Sequence, residues 1–148
     1  MVIDLNKTYQ FEIENYSFGN LGANELNKLF QDGRFASPFL EIQLTKWFPE
    51  LIHVPGNKPY DHIGKNGKLY DAKNFTKNGL KFKPSNMLGQ GRTFIAEIAH
   101  EKASNLIYIC CDIVEFPKIR VKFVEGSELV EQYPNCEIAK TNREVFYE

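Results

Sequence analysis

The sequence has little cysteine, no long apolar run and almost no net charge. Its three cysteines are Cys110, Cys111 and Cys136, and its three histidines share no ligand spacing. An odd cysteine count with two adjacent residues provides neither a disulfide framework nor the spacing of a zinc site. We therefore expect buried, reduced thiols in a cytoplasmic protein.

Membrane and secretory classes have no support in the sequence. The longest apolar run, which ends at Cys111, is far too short to span a bilayer. The opening residues, MVIDLNKTYQ, include an acid and lack an apolar stretch, so we expect no secretory signal and no membrane partner. The hydrophobic fraction of 43% and the charged fraction of 25% are typical of a globular protein. A length of 148 residues suits a single domain, 1–148.

The charge is small in total but unevenly distributed. A net charge of -1, taken alone, argues against a polyanionic partner. Residues 57–92, however, carry a net charge of +6, whereas residues 1–56 and 93–148 carry -3 and -4. This basic segment is either a solvated lysine-rich loop or a localised phosphate-binding surface.

Apolar spacing and turn residues predict an α/β or α+β protein. Ser37 as N-cap and Pro38 at the first helical position predict the start of a helix that ends near Trp47. Further helices are predicted over 22–30 and 93–103, with a short helical turn from Gly126. Strands are predicted over 51–54, 59–63, 68–75, 106–114 and 119–124, and a long loop over 76–92.

Two carboxylates and a lysine lie on the hairpin predicted over 59–75. A two-residue loop of Asn66 and Gly67 would place Asp61 and Asp71 on opposite faces. A three-residue loop ending in Gly67 would make them cross-strand neighbours, with Cβ atoms about 4.5–5.5 Å apart. Gly67 suits the left-handed last position of that loop. Lys73 then projects from the same face as Asp71.

Two carboxylates this close repel each other unless a cation or salt bridges neutralise them. Mg²⁺ binds carboxylates, waters and phosphate oxygens, and the carbonyl of Ala72 could add a ligand. Bound Mg²⁺ would polarise a phosphoryl oxygen and activate a water, which Lys73 would orient or deprotonate. The alternative is a surface cluster of Asp61, Asp71 and Lys73 neutralised by salt bridges.

Asp61 and the tripeptide at 71–73 resemble the motif of the PD-(D/E)XK nuclease superfamily. The predicted order of helices and strands is similar to the core of that superfamily. Residues 54–74, and less closely 116–124, resemble stretches of its type II restriction endonucleases. The resemblance implies a restriction-endonuclease-like core, a central mixed sheet flanked by helices, with the catalytic core in 37–124. Tyr60 interrupts the Pro-Asp dipeptide of the motif.

The resemblance also implies an activity: Mg²⁺-dependent, sequence-specific hydrolysis of double-stranded DNA by a homodimeric type II restriction enzyme. Asp61 and Asp71 would be metal ligands and Lys73 the catalytic lysine. Glu41, on the preceding helix, is either a further metal ligand or a solvated acid near the helix N-terminus. The alternatives are a homing endonuclease or junction resolvase of the same fold, or a non-catalytic DNA-binding module.

The stretch 74–92 is the best candidate for contacting DNA. Its candidates for phosphate contacts are Lys77, Lys81, Lys83 and Arg92, and its candidates for reading bases are Ser85, Asn86, Gln90 and Arg92. Each competes with an ordinary loop role. His62 points to the face opposite Asp61, where packing or a DNA contact is expected rather than metal ligation.

The aromatic N-terminal segment, residues 1–36, has two alternative roles. It either forms a two-fold contact between chains, as a palindromic site would require, or packs into the core.

Overall fold

Residues 107–112 are buried at every position and form an inner strand of the main sheet. The computed structural model describes residues 1–148 and shows a mixed α/β fold with a six-stranded mixed sheet and five helices. The strands are β1 (Thr8–Glu12), β2 (Leu51–His53), β3 (His62–Gly64), β4 (Leu69–Phe75), β5 (Leu80–Lys81), β6 (Ile107–Asp112), β7 (Lys118–Glu125) and β8 (Glu137–Ile138). The helices are α1 (Ala23–Phe30), α2 (Gly33–Trp47), α3 (Ala96–Ser104), α4 (Gly126–Gln132) and α5 (Arg143–Phe146), with 3₁₀ turns at Ser85–Met87 and Lys140–Asn142.

The main sheet has the strand order β1-β7-β6-β4-β3-β2. Strands β4 and β6 are parallel, and all other neighbours are antiparallel. Strands β5 and β8 form a separate two-stranded ribbon. Helix α3 lies between β4 and β6 in the chain, as expected for a crossover between parallel strands.

Strand β6 shows how the two faces of the sheet are covered. Ile107 and Ile109 pack in a cluster with the buried face of α2, whereas Tyr108 and Cys110 pack in a second cluster with α3, α4 and α5. Because side chains alternate along a strand, neighbouring residues of β6 enter opposite layers. The sheet is therefore enclosed between helices on both sides. None of the helices combines the length and apolar character needed to cross a membrane.

Helix α2 begins earlier than predicted. Its N-cap is Asp32, not Ser37, and the Asp32 carboxylate accepts a hydrogen bond from the Arg34 backbone N–H at 2.9 Å. Pro38 lies inside the helix rather than at its first position. Because proline has no N–H, it leaves the Arg34 carbonyl without its usual helical partner. The predicted end of the helix at Trp47 is confirmed.

The N-terminal segment contributes a strand to the main sheet. Strand β1 pairs with β7, and the ring of Tyr9 is buried against Phe48, with ring centroids 5.0 Å apart. Phe11 stacks on Trp47 at 4.0 Å. The structure therefore shows core packing for this part of residues 1–36.

The strand predicted over 59–63 is shorter and shifted, since β3 begins at His62. Prolines flank the preceding segment at 55 and 59, and each removes a backbone donor from a possible ladder. Asp61 consequently lies immediately before the strand.

Candidate active site

The register of the β3–β4 hairpin sets the position of the two acids. The Gly64 N–H donates to the Lys68 carbonyl at 2.9 Å, which closes a three-residue loop. Gly67 occupies the last loop position with φ of 82°. The three-residue loop expected from the sequence is confirmed. The strand pairing ends at His62 and Tyr70, and Asp61 and Asp71 are the next residues on either side of that pair.

Asp61 is held against the edge of β4 by two hydrogen bonds. Its N–H donates to the Tyr70 carbonyl, and its Oδ2 accepts from the Ala72 N–H, both at 2.9 Å. The N–H and C=O groups of one strand residue point to the same side. The Ala72 carbonyl therefore lies on the same edge of β4 as Asp61.

The side chains of Asp71 and Lys73 lie on the same face of β4, because the two residues are two positions apart. The Lys73 Nζ lies 3.2 Å from Asp71 Oδ2, and the two side chains are 25% and 15% exposed. The lysine is thus close to the acid and still accessible to solvent.

Glu41 on α2 completes a group of three carboxyls. Its carboxyl interacts with that of Asp61, which in turn interacts with that of Asp71. The sequence left open whether Glu41 is solvated or part of the site. In the structure it is only partly exposed, and it belongs to the group that we call the carboxyl cluster: Glu41, Asp61 and Asp71.

His62 connects the hairpin to α2. Its side chain is fully buried, and Nε2 donates to the Glu41 carbonyl at 2.7 Å. A DNA contact, one of the two roles expected from the sequence, is therefore wrong, and packing is confirmed. Sequence spacing carries no signal for this contact, because 21 residues separate its partners.

The carboxyls of the cluster are too close together for all three to be ionised at low cost. Burial, reinforced by Asp61, raises the pKa of Asp71 to about 7 despite the opposing effect of Lys73. The pKa of Glu41 is raised to about 7, mainly by burial and to a smaller extent by the Asp61 carboxyl. Burial also opposes ionisation of Asp61, but hydrogen bonds with Asp71 and Glu41 bring its pKa below the ordinary value. Near neutral pH, the three carboxyls therefore share protons around an ionised Asp61.

The donor set suits a hard divalent cation. No group of three His, Cys, Asp or Glu side chains is arranged to hold a metal ion as the structure stands. Instead, the raised pKa values of Glu41 and Asp71 favour protons between the carboxyls. A cation can take the place of such shared protons, and carboxylate and carbonyl oxygens are the ligands that Mg²⁺ prefers.

The residues predicted to contact DNA lie mainly on the exposed segment between β4 and α3. Lys77, Lys81, Asn86 and Gln90 are exposed. Arg92 is exposed as well, and its guanidinium donates to the carbonyl of exposed Ser85 at 2.9 Å.

Lys83 differs from the other candidates because it is engaged within the fold. It pairs with Glu137 of β8 at 2.8 Å and lies over the ring of Phe94. This ion pair connects the loop to the β5–β8 ribbon, so Lys83 is the least available of the predicted phosphate contacts.

The chain matches no protein-family model, no curated protein sequence and no solved structure. The carboxyl cluster and its surroundings are therefore the basis for assigning a function.

Proposed function

We propose that the chain is a Mg²⁺-dependent endonuclease that hydrolyses phosphodiester bonds of double-stranded DNA. One observation carries the proposal. Asp61, Asp71 and Glu41 converge where the β3–β4 hairpin meets α2, and the Lys73 ammonium lies 3.2 Å from Asp71. A carboxyl cluster beside an accessible lysine suits hydrolysis of an anionic ester.

The surrounding fold supports a restriction-endonuclease-like core. Helix α2, the antiparallel strands β2–β4, helix α3 and the parallel strand β6 occur in this order in the chain, with only the short β5 and a 3₁₀ turn inserted before α3. This is the order that the resemblance to PD-(D/E)XK nucleases implies. The acids lie on the second and third strands of this unit or at their ends, where that motif would place them.

Each residue has a distinct part in the proposed reaction. Asp61, Asp71, Glu41 and the Ala72 carbonyl would hold Mg²⁺, which supplies Lewis-acid activation of the phosphate and of a water. Lys73 orients the attacking water and stabilises the negative charge that develops on the phosphate. Attack of water on phosphorus breaks one P–O bond and leaves a phosphomonoester and a hydroxyl.

We further propose that the enzyme acts as a homodimer of the type II restriction class. One chain carries one carboxyl cluster, so cutting both DNA strands in a single binding event calls for two chains. A two-fold dimer matches a palindromic DNA sequence.

Plasmid cleavage tests this proposal. We expect the protein to nick and linearise plasmids that contain its site when Mg²⁺ is present, and to lose that activity in EDTA. Asp71→Asn and Lys73→Met should each lower the cleavage rate by about 10²-fold or more. The matched controls are Asp4→Asn and Lys68→Met, which change exposed residues outside the cluster and should cleave normally.

Two outcomes would contradict the proposal. Failure to cut a varied set of DNAs at low salt with Mg²⁺ or Mn²⁺ would refute the proposed nuclease activity. DNA binding without cleavage would favour a non-catalytic module. Undiminished cleavage by Asp71→Asn would refute the assignment of the carboxyl cluster as the active site. A preference for branched over linear duplex DNA would instead favour a junction resolvase.

A further inference from the structure

A polar pocket lies between α1, the start of α2 and the turn that follows β4. It has a volume of about 430 Å³, and none of its lining residues is hydrophobic. Lys28 from the last turn of α1, Arg34 from the first turn of α2, and Lys77 from the turn line it together. We call it the basic pocket, because three cations from three different elements meet there.

The only acid in the basic pocket is already satisfied. Asp32 accepts from the Arg34 backbone N–H at 2.9 Å and from its guanidinium at 2.8 Å. These bonds, with a smaller effect from Lys77, hold the pKa of Asp32 at about 2. Lys28 and Lys77 make no ion pair, so the basic pocket keeps a net positive charge. Such a pocket suits an anion.

The basic pocket adjoins the carboxyl cluster along the contact between α2 and β4. Asn74, which follows Lys73 on β4, donates to the Ser37 hydroxyl at 2.7 Å. Nearer the pocket, a Cβ placed on Gly33 would lie 3.5 Å from the Asn74 amide nitrogen. The two sites are therefore connected by directly packed residues.

Helix α2 runs from the basic pocket to the carboxyl cluster. From Gly33 to Glu41 it rises about 12 Å at 1.5 Å per residue. Phosphates of a B-DNA strand advance about 3.4 Å along the axis, so a strand that follows α2 would reach both sites within roughly three to four nucleotides.

We propose that the basic pocket binds a backbone phosphate of the DNA strand whose scissile phosphate lies at the carboxyl cluster. Lys28 and Lys77 contact the phosphate, and Arg34, fixed by Asp32, adds positive charge at its edge. This inference rests on the proposed nuclease function. It adds two residues, Lys28 and Arg34, that lie far from the basic segment in the sequence.

The test measures binding rather than cleavage. The affinity for a short mixed-sequence DNA duplex is measured by fluorescence anisotropy in EDTA at several salt concentrations. The variants are Lys28→Ala/Lys77→Ala and, as a matched control, Lys102→Ala/Lys140→Ala. All four lysines are exposed, and the control pair lies in α3 and the 3₁₀ turn before α5. Equal melting temperatures establish that both variants are folded.

We expect the pocket variant to lower the magnitude of the slope of log affinity against log salt by about 1, since the loss of one neutralised phosphate removes about 0.9. The control pair should change the slope by less than half as much. An unchanged slope in the pocket variant, equal losses in the two variants, or no DNA binding by the unmodified protein would overturn the inference.

Binding and cleavage separate the two proposals. A selective loss of slope in a protein that never cleaves DNA would support the basic pocket and refute the nuclease. Cleavage with an unchanged slope would refute the pocket alone.

Discussion

The side chains of Glu41, Asp61 and Asp71 are close enough that they cannot all be ionised at low cost. The pKa values of Glu41 and Asp71 rise to about 7, so the folded protein keeps protons on these two carboxyls below that pH. Ordinary values for these side chains are 4.5 for Glu and 3.8 for Asp. Proton binding by the carboxyl cluster is therefore coupled to folding, and the proposed cation would compete with these protons.

This coupling fixes the sign of a pH effect on stability. Between about pH 4 and pH 7 the folded chain holds more protons at the cluster than the unfolded chain does. The contribution of Glu41 and Asp71 to the free energy of unfolding must therefore fall as the pH rises through this window, and level off above it.

We predict that the double variant Glu41→Gln/Asp71→Asn loses this part of the pH dependence. The measurement is the urea midpoint from pH 4 to pH 8 in EDTA, for the variant and for the unmodified protein. The difference in urea midpoint between the variant and the unmodified protein should change steadily from pH 4 up to about pH 7. Asp4→Asn/Glu12→Gln, which alters two exposed acids, is the control. Parallel pH curves for the cluster variant and the unmodified protein would contradict the prediction.

At this scale the sequence predicted what a local rule could determine. Turn chemistry and strand alternation were enough to pair Asp61 with Asp71 and to place Lys73 beside them. Glu41 was undecided because it reaches Asp61 only through the packing of α2 on the hairpin. That packing includes the buried hydrogen bond from His62 to the Glu41 carbonyl, which no local pattern specifies.

At the scale of elements, α2 begins earlier in the chain than Ser37 and Pro38 predict. Ser37 followed by Pro38 is typical of a helix start, but the structure uses Asp32 as the N-cap. The Ser37 hydroxyl instead accepts a hydrogen bond from Asn74 of β4. Starting the helix at Gly33 brings its first turn against β4 and forms one wall of the basic pocket.

We predict that Asp32→Ala lowers the free energy of unfolding by about 1 kcal/mol, the usual effect of losing an N-cap. Its exposed pair with Arg34 adds little, because the arginine side chain is 86% exposed. Ser37→Ala should cost less, since it removes one exposed hydrogen bond. Urea denaturation measures both, and a larger loss for Ser37→Ala than for Asp32→Ala would contradict the N-cap assignment.

Strand β1 shows a different limit of sequence interpretation. Tyr9, Phe11 and Ile13 alternate with polar residues, which is the pattern of a strand with one buried face. The partner of β1, however, is β7, more than 100 residues later. The sequence predicted no strand in this segment, since alternation alone specifies no partner, and core packing and a contact between chains could not be separated.

At the scale of the whole molecule, a buried charge joins the C-terminal helix to the sheet. Asp112 at the end of β6 is 2% exposed and accepts from Arg120 of β7 at 2.7 Å and from Arg143 of α5 at 2.9 Å. Glu115 and Glu144 pair with the outer sides of the arginines. Removing Asp112 would leave two arginines without their buried partner.

We predict that Asp112→Ala lowers the free energy of unfolding by about 3–5 kcal/mol, as for other broken buried pairs. Glu115→Ala, which removes an exposed partner of the same Arg143, should cost about 1 kcal/mol or less. Urea denaturation of both variants gives the comparison. Similar losses for the two would show that burial of Asp112 does not control the energy of this network.

Folding brings together basic residues that lie far apart in the sequence. The segment 57–92, with its charge of +6, includes the hairpin of the carboxyl cluster and the exposed loop after β4. Yet the basic pocket takes Lys28 and Arg34 from the acidic first third of the chain and only Lys77 from the basic segment. Counting charge along the sequence finds the segment but misses a pocket assembled by folding.

We expect Glu41, Asp61 and Asp71 to bind a divalent cation by giving up the protons that they share. Calorimetric titration with Mn²⁺ near pH 7, in two buffers of different ionisation enthalpy, measures cation affinity and proton release together. We expect saturable binding that releases about one proton, with both the binding and the release strongly reduced in Asp71→Asn. No saturable binding in the unmodified protein, or undiminished binding and proton release in Asp71→Asn, would contradict the claim.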